Sequence, residues 1–448
     1  MTYWALQTDF DTLTFPVSGI FASTPYFKDA GFQRPSGVIW GARLQHLATK
    51  KQVLDILNEL DEAQVPGLAL TWHYDDSVME RIAQMKHLRF LHILHDNCKT
   101  GEVEIPRRLL DPIASHRNLR YLSFYSKSFA EIDVPDLSQM TALEELTLNT
   151  HIVEGTAFCA FSAPNLRLVL LNLNGAYVPY DAVKKCEKLE ALILQSAENF
   201  SGMAFPTMKK LKWLSLLSQV EPEQLFALTG KCSPTKVELL LTSDSHIKAM
   251  KRWARLESLS LFQPILISPI KVKAFRALKK LSVGPVEVND ELLNAACSMR
   301  SLEKLWLQPR GNIEFGKQTA RKLAGKRSLK DIRVYSCPFT EEREMLVNAI
   351  AANSSVEHVE LLFNSVHPLH EDELAALCKS KSIRELAFFG DGFVDLCYEP
   401  LGRAGSIAAL TIAYPMEMTE KLAQTLSGMS GLRSLTIKGS TALDSADT

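Results

Sequence analysis

Three histidines that lie close together in the sequence are the first residues to consider for metal chemistry. Imidazole is the commonest metal ligand in proteins, and His358, His367 and His370 are near neighbours. His358, however, lies within a run that reads as a strand, whereas His367 and His370 flank Pro368 and open the next predicted helix. We therefore interpret the three histidines as structural, and we expect neither a metal nor a cofactor.

Familiar catalytic motifs are absent from the sequence. There is no phosphate-binding G-x-x-x-x-G-K-[ST] loop, no H-E-x-x-H, no G-x-S-x-G and no kinase motif set. Single acids such as Asp391 and Asp395 have no partner at a diagnostic spacing. The sequence predicts that the chain is not an enzyme. An enzyme with a site that no motif describes remains an alternative, and it would require clustered, strongly perturbed ionisable groups in a cleft.

Charge and hydropathy limit the classes of partner. The formal net charge is −1, from 50 basic and 51 acidic residues, so nothing global attracts nucleic acid or acidic membranes. No run of about 18 apolar residues is present, and the first residues have no signal-peptide pattern. We expect a cytoplasmic protein that binds neither nucleic acid nor membrane.

The cysteines are scattered, and none forms a C-x-x-C pair or a zinc-binding spacing. Because the cytoplasm is reducing, we expect reduced thiols that mostly serve as small, buried core residues. The eight are Cys98, Cys159, Cys186, Cys232, Cys297, Cys337, Cys378 and Cys397.

The remaining candidate chemistry is that of a binding surface. Trp306, Arg333 and Tyr335 are of the residue types enriched at interface hot spots. They need a rigid element to present them, and the sequence around Trp306 supplies one. In the stretch 301–307, Leu305 and Leu307 alternate with Lys304 and Trp306, which is the pattern of a short strand with one buried face.

This L-x-x-L-x-L stretch recurs along most of the chain, for example as ALEELTL, KLKWLSL and GLRSLTI. Each copy can bury its apolar face only against its neighbours. From Leu302 to Ile383 the copies are 27 residues apart, which leaves room for a helix after each strand. We place the first apolar residue of sixteen copies at Val65, Leu88, Leu119, Leu143, Leu166, Leu189, Leu211, Val237, Leu256, Leu278, Leu302, Leu329, Val356, Ile383, Ile407 and Leu432.

The repeats resemble the leucine-rich-repeat family, and the spacing in the C-terminal third is similar to that of ribonuclease-inhibitor-type repeats. The resemblance implies an α/β solenoid, with a curved parallel β ladder inside and helices or turns outside. It also implies non-catalytic binding of another protein on the concave face. The sequence departs from the family at the turn after each strand, where only Asn174, Cys337 and Asn364 match the usual Asn or Cys.

The predicted domain organisation has three parts. Residues 1–64 form an N-terminal capping region with one helix, predicted from Lys51 to Ala63, and Gly37 to Trp40 is a possible first strand. Residues 65–440 form the solenoid, and residues 441–448 form a disordered tail. The aromatic residues before position 36 either cap the solenoid or form a separate docking segment, and both interpretations stay open.

The predicted binding residues are aromatic or basic side chains that lie between the repeat leucines. Such residues resemble a protein-binding face, although cross-strand packing among them is an alternative. Trp306 and Arg333 are expected to stack on adjacent strands, and Arg333 and Glu360 are expected to pair. The predicted set is Phe90, Tyr121, Tyr125, Trp213, Phe262, Trp306, Arg333, Tyr335 and Phe389.

From these features we expect an adaptor or inhibitor that binds another protein. A target-recognition subunit of a larger enzyme complex is the main alternative, and a co-purifying catalytic protein would distinguish it.

Overall fold

The structure is a computed structural model of the 448-residue chain. It describes residues 2–5, 40–44, 50–72, 76–95, 110–126, 131–149, 151–152, 156–172, 183, 186–195, 207–217, 220–240, 243–262, 274–335, 341–362, 369–389, 398–413 and 420–438. The predicted tail, most of the aromatic N-terminal segment and the turn residues Asn174, Cys337 and Asn364 lie outside these ranges. The chain forms two compact units, Met1–Leu239 and Leu240–Thr448.

The first unit is built around a parallel sheet. Its strands are β1 Thr2–Ala5, β2 Trp40–Leu44, β3 Gly67–Trp72, β4 Phe90–His95, β5 Tyr121–Ser126, β6 Glu131–Ile132, β7 Glu145–Asn149, β8 His151–Ile152, β9 Leu168–Asn172, β10 Ala191–Gln195, β11 Trp213–Leu217 and β12 Lys236–Leu240. Strands β2, β3, β4, β5, β7, β9, β10, β11 and β12 pair in parallel in that order. Strand β1 pairs antiparallel with β2, and β6 pairs separately with β8.

Helices and short turns connect these strands. The described helices are α1 Lys50–Glu62, α2 Asp76–Gln84 and α3 Pro222–Thr229, with 3₁₀ turns at Asp111–Ile113 and Ala157–Phe161. The predicted helix from Lys51 to Ala63 is therefore confirmed within one residue at each end. Its apolar positions Val53, Leu57 and Leu60 are buried, as the helical spacing requires.

The second unit alternates strands and helices more regularly. Its strands are β13 Ser258–Phe262, β14 Lys280–Val288, β15 Lys304–Ile313, β16 Asp331–Val334, β17 His358–Leu362, β18 Glu385–Phe389, β19 Ala409–Ala413 and β20 Ser434–Lys438. They pair in parallel in chain order. The helices are α4 Asp244–Met250, α5 Asp290–Cys297, α6 Lys317–Ala324, α7 Glu341–Ala352, α8 Glu371–Lys379, α9 Glu399–Gly402 and α10 Glu420–Ser427.

The repeat leucines form the core of each unit. Leu281, Leu305 and Ile332 are register partners on successive strands, and each is at most 1% exposed. Consecutive helices pack against one another behind the strands, with α6 against α7 and α7 against α8. Each repeat therefore shares its core with its neighbours.

The repeat register predicted at Val237 is wrong by three residues. Val237 pairs with Leu214, so it is the second core residue of its repeat, and the buried Pro234 takes the first position. Because proline does not fit the L-x-x-L-x-L pattern, the sequence indicates Val237 as the first apolar residue of this repeat. The first parallel strand is described over Trp40–Leu44, and residues 37–39 of the predicted first strand lie outside the described residues.

A ladder of small polar side chains links the turns of neighbouring repeats. The residue just before the first apolar residue donates a hydrogen bond to a carbonyl of the preceding turn. Ser328 Oγ donates to the carbonyl of Leu302, and Ser382 Oγ to that of Asn353. Asn165 Nδ2 does the same with Thr141 in the first unit. This ladder satisfies turn carbonyls, which would otherwise be costly to bury.

Along one run of strands in each unit, the residues just before the strands are charged and alternate in sign, and we call these two rows the charge ladder. Arg120 and Arg167 flank Glu144, with closest N–O distances of 2.6 and 3.5 Å. In the first unit the row contains Arg120, Glu144, Arg167, Glu190 and Lys212. In the second unit it contains Glu257, Lys279, Glu303, Lys330, Glu357 and Arg384. Backbone hydrogen bonds join successive members, so the register is fixed.

Strands β14 and β15 extend beyond the others. After the regular ladder their pairing continues through Val286 with Pro309 and Val288 with Ile313, with irregular register between them. The two strands are very close at Gly284, where an added Cβ would lie 2.3 Å from Cβ of Gln308. Only glycine can occupy position 284 at this distance between the two strands. We call residues 284–288 and 308–313 the β14–β15 extension.

Candidate protein-binding face

Each sheet has a face formed by the strand residues that alternate with the core leucines, and we call it the open face. In the second unit the register aligns Ser282, Trp306, Arg333, Glu360 and Ala387 along this face. Next to this row, at the first strand positions, is a parallel row of Lys280, Lys304, Asp331, His358 and Glu385. The two rows bring most of the described charged groups of β14 to β18 together.

Trp306 lies between two cations that come from the neighbouring strands. The ammonium of Lys280 on β14 is 3.2 Å from the ring centroid, and the guanidinium carbon of Arg333 on β16 is 4.2 Å from it. Both contacts are cation–π interactions. The predicted stack of Arg333 on Trp306 is therefore confirmed. The indole Nε1–H donates to Asp331 Oδ1 at 3.2 Å, and the side chain stays half-buried.

Arg333 is held by two carboxylates. Its Nε donates to Asp331 Oδ1 at 3.1 Å and Nη2 donates to Asp331 Oδ2 at 3.2 Å. Its Nη1 lies 3.0 Å from Glu360 Oε2, so the predicted pair is also present. Burial alone would lower the pKa of Arg333, but Asp331 and Glu360 raise it above its usual value. The guanidinium is thus fixed and permanently charged.

Tyr335 and His358 complete the cluster around Glu360. The Tyr335 hydroxyl donates to Glu360 Oε1 at 2.7 Å. His358 contacts two carboxylates, with Nδ1 2.8 Å from Glu385 Oε2 and Nε2 3.7 Å from Glu360 Oε2. Only the shorter distance is a hydrogen bond. A ring whose two nitrogens face carboxylates is stabilised in its doubly protonated form.

The pKa values of these groups follow from that arrangement. Burial would raise the pKa of Glu360, but its interactions with His358, Tyr335 and Arg333 lower it. Burial would lower the pKa of His358, but Glu360, Asp331 and Glu385 raise it. Burial together with Glu360 raises the pKa of the Tyr335 hydroxyl. The cluster therefore keeps Glu360 ionised and Tyr335 neutral.

The remaining candidates of the second unit lie at the ends of their strands. Phe389 is the last residue of β18 and pairs in register with Leu362 on β17. Phe262 is the last residue of β13. Both are half-buried. They occupy the same strand position as Tyr335, which continues the ladder by donating its backbone N–H to Leu307 at 2.8 Å.

In the first unit, two of the predicted aromatic residues pack against each other across neighbouring strands. Phe90 and Tyr121 are register partners on β4 and β5, and their ring centroids are 6.0 Å apart with a 42° interplanar angle. Tyr121 is buried, whereas Phe90 and Tyr125 are half-buried. This is the cross-strand packing that stood as the alternative to binding.

Trp213 is on the open face but is only 1% exposed. It belongs to a buried cluster with Leu168, Leu170, Ala191 and Ile193, all on β9 and β10. The ammonium of Lys236 lies 3.7 Å from its ring centroid. Sequence alternation predicted that this side chain points away from the leucine core, but alternation does not report whether that face is covered.

The three histidines do not converge among the described residues. His358 lies in the open-face cluster, His370 precedes α8 and donates its backbone N–H to Glu373 at 2.9 Å, and His367 is outside the described ranges. Within the described part of the chain, no group of three His, Cys, Asp or Glu side chains is arranged to hold a metal ion. In the same part of the chain, no helix combines the length and apolarity needed to cross a membrane.

Sequence reasoning found Trp306, Arg333, Tyr335 and Glu360 but missed Lys280, Asp331, His358 and Glu385 as members of the same cluster. These four occupy the first position of their strands, directly before a core leucine or its equivalent. Aligning the repeats would have revealed them, because register partners in a parallel sheet lie about 4.8 Å apart.

The repeating unit decides the fold. Each copy contributes one parallel strand, and the second and third apolar residues of L-x-x-L-x-L align in register with those of the next copy. The chain has a leucine-rich-repeat fold. Each unit is an α/β leucine-rich-repeat solenoid, with a parallel ladder on one side and helices or turns on the other.

Comparisons with known proteins add little to the chain's own pattern. No family model and no curated protein matches the sequence. Among solved structures, similarity is found to an internalin from Listeria monocytogenes, with 13% identity, 86% of this chain and 93% of that chain covered, and a TM-score of 0.36. A leucine-rich-repeat protein from Leptospira interrogans has 16% identity, with 87% and 95% covered and a TM-score of 0.41.

Proposed function

We propose that this leucine-rich-repeat chain is a non-catalytic interaction module of the adaptor or inhibitor type. Its partner is a protein, which binds the open face of the second unit around Trp306, Arg333 and Tyr335. The observation that carries the proposal is the indole of Trp306, which is fixed between Lys280 and Arg333 yet stays half-buried. Trp, Tyr and Arg anchors of this kind dominate the energy of many interfaces.

The cluster is already ordered before any partner arrives. Arg333 is tied to both Asp331 and Glu360, and Tyr335 is tied to Glu360. A binding surface pays for every side chain that it must immobilise. Because these anchors lie on paired strands with fixed neighbours, little ordering remains, which favours tight binding.

The other predicted residues of this unit extend the proposed site. Phe262 and Phe389 are half-buried at the strand position of Tyr335, and we assign them to the edge of the interface. Phe90, Tyr121 and Tyr125 stand as a second proposed region on the first unit. Trp213 is left out of the proposed contact set because so little of it is exposed.

A cytoplasmic location is part of the proposal. It is supported by the described cysteines, Cys159, Cys186, Cys232, Cys297 and Cys378, all of which are free thiols. Nucleic acid is not the proposed partner, because the carboxylates of Asp331, Glu360 and Glu385 lie on the same face and would repel a phosphate backbone.

Site-specific photo-cross-linking in cell extract from the native host tests the proposal. A photoreactive phenylalanine analogue replaces Phe389 in one variant and Phe226 in another. Phe226 lies on helix α3 and is 48% exposed, so it serves as a control away from the open face. We expect one protein to be captured at position 389 and not at position 226, as identified by mass spectrometry.

The captured protein is then tested with Trp306→Ala combined with Tyr335→Ala. We expect at least a tenfold loss of affinity with an unchanged circular dichroism spectrum, since hot-spot truncations cost about 2 kcal/mol or more. Phe226→Ala should bind as the unaltered protein does. A folded double variant that keeps full affinity would exclude this site and direct attention to Phe90, Tyr121 and Tyr125.

A further inference from the structure

We infer that β20 is a docking edge for an extended segment of a partner protein, which pairs with this strand in parallel. The segment carries an aspartate or glutamate beside Arg433, the residue just before β20, and aliphatic side chains beside Leu435 and Ile437. The inference does not depend on the proposed function, because it concerns the last described strand of the ladder and not the open face.

The backbone of β20 has an open edge among the described residues. The strand pairs in parallel with β19, and no described strand lies on its other side. In earlier repeats, the carbonyl just before each strand accepts two N–H groups of the next repeat. The carbonyl of Arg384 accepts from Ala408 and Ala409, and that of Ala408 from Arg433 and Ser434. The carbonyl of Arg433 accepts no such pair in the described part of the chain, and an edge of this kind is a template for an added strand.

The apolar core becomes exposed at the same edge. Leu410 and Ile412 on β19 are each 1% exposed, and their register partners on β20 are Leu435 and Ile437. Leu435 is 42% exposed and Ile437 is half-buried. Phe226 is the only other large apolar side chain that is exposed within the described ranges. One more strand with aliphatic residues at these two positions would bury Leu435 as β20 buries Leu410.

Arg433 selects an acidic residue for the added segment. It lies directly before β20, at the position that the charge ladder occupies in earlier repeats, and its side chain is exposed. The same position before β19 is held by Ala408, so Arg433 lacks the acidic neighbour that Lys330 has in Glu357. Among the described residues, Arg433 forms no ion pair. Opposite charges at facing positions on neighbouring strands stabilise their pairing, so an aspartate or glutamate complements this edge.

The repeat that follows Lys330 shows the sequence pattern that fits. Glu357 lies 2.7 Å from Lys330. Val359 and Leu361, two and four residues later, are register partners of core residues of β16 and are at most 1% exposed. A segment with the pattern acid-x-aliphatic-x-aliphatic, running parallel to β20, would repeat this arrangement one strand further along the ladder.

A second copy of the chain complements this edge less well. Two β20 strands paired edge to edge would bring together residues 433–438 of both copies, none of which is acidic. At the opposite end of the first unit, β2 pairs with β1 on one side and with β3 on the other. Strand β2 therefore offers no free edge for head-to-tail stacking. The positive charge of Arg433 instead favours a different protein with an acidic, extended segment.

Peptide binding to the full chain tests the inference. The probe is the peptide SLETLTLT with blocked ends and a fluorescent label, and two control peptides replace its glutamate by lysine or reverse its order. In fluorescence anisotropy at constant ionic strength, we expect the glutamate peptide to bind saturably and both controls to bind more weakly. Equal binding of either control, or no saturable binding of the glutamate peptide at millimolar concentration, would overturn the inference.

Charge reversal on the chain locates the effect. Arg433→Glu should weaken binding of the glutamate peptide about fivefold and strengthen binding of the lysine peptide, because a cross-strand attraction becomes a repulsion. Arg300→Glu makes the same change at an exposed arginine between α5 and β15 and should alter neither affinity. Leu435→Ser should weaken binding of both peptides, whereas Phe226→Ser should not. Unaltered peptide affinities in a folded Arg433→Glu variant would exclude the proposed edge.

Two other occupants of the edge would give distinct results. A concentration-dependent dimer in analytical ultracentrifugation that Leu435→Ser abolishes would assign the edge to a second copy of the chain. Peptide binding that begins only after removal of residues 439–448 would assign it to the chain's own C-terminal segment. Either result would overturn the inference of a separate partner.

Discussion

Arg343 and Glu373 form a bidentate ion pair between consecutive helices, with Nε to Oε1 and Nη2 to Oε2 both at 2.9 Å. Their side chains are 1% and 3% exposed. Glu373 Oε2 also accepts the backbone N–H of His370, so this carboxylate joins α7 to the start of α8. A buried pair with this geometry determines how the two helices pack.

We predict that removing one partner of this pair strongly destabilises the second unit. Glu373→Gln leaves a buried guanidinium without its counter-charge, and breaking a buried pair costs about 3–5 kcal/mol. Denaturant unfolding followed by circular dichroism measures the loss. Lys330→Ala is the control, because Lys330 and Glu357 form an ion pair whose side chains are 50% and 57% exposed. That variant should lose less than about 1 kcal/mol.

The two environments of His358 and His116 predict opposite titration shifts. The pKa of His358 is raised by its carboxylate neighbours, despite burial, whereas burial lowers that of His116. An NMR titration of the ring protons should place their midpoints above and below 6.5, respectively. Coinciding midpoints would mean that the open-face cluster does not hold His358 as described.

The same shift links His358 to stability. The folded state binds the proton more tightly than the unfolded state, so this contribution is complete below pH 6.5 and disappears as the pH rises through the higher folded pKa. His358→Gln replaces the titratable imidazole with a side chain that stays neutral. We expect the difference in denaturation midpoint between the two proteins to shrink from pH 6 to pH 8, and a pH-independent difference would refute the linkage.

Thiol reactivity should follow burial. Burial raises the pKa of Cys232 and of Cys378 to about 12, and that of Cys297 to about 11. Since the thiolate is the reactive species, these three should label slowly in the folded protein and rapidly in denaturant. A time course of alkylation resolved by peptide mass spectrometry measures each site. Disulfides in freshly prepared, non-oxidised protein would contradict the proposed cytoplasmic location.

A methyl group at position 284 should disrupt the β14–β15 extension. In Gly284→Ala the new Cβ would meet Gln308 at 2.3 Å, and overpacking of this kind costs about 1–3 kcal/mol. Gly405→Ala is the matched control, because no atom lies within 4 Å of its added Cβ. Hydrogen exchange of the amides around Gln308 should accelerate in the first variant only.

The core could be predicted from the sequence because it depends on the spacing of leucines within each repeat. Leucines at fixed spacing determine which side of each strand is buried, and Leu305, Ile332 and Val359 lie in register as expected. The error at Val237 arose where Pro234 replaces the first apolar residue. The β14–β15 extension was missed because Gly284, Pro285 and Pro309 are unfavourable in strands.

The candidate site was only partly predictable because it depends on relations between repeats. The contact of Trp306 with Arg333 could be predicted because the two residues occupy equivalent positions in adjacent repeats. The roles of Lys280 and Asp331 required knowing which first-position residues face one another. The burial of Trp213 arises from contacts that are distant in sequence, and no periodicity reports them.

The charge ladder has a consequence for how such a chain can change in length. In the second unit, loss of the repeat that carries Glu303 would bring Lys279 beside Lys330, two like charges at neighbouring positions. Loss of two consecutive repeats would preserve the alternation of sign. Duplication or deletion of repeats in this region is therefore best tolerated in even numbers. The number of repeats in relatives of different length tests this rule.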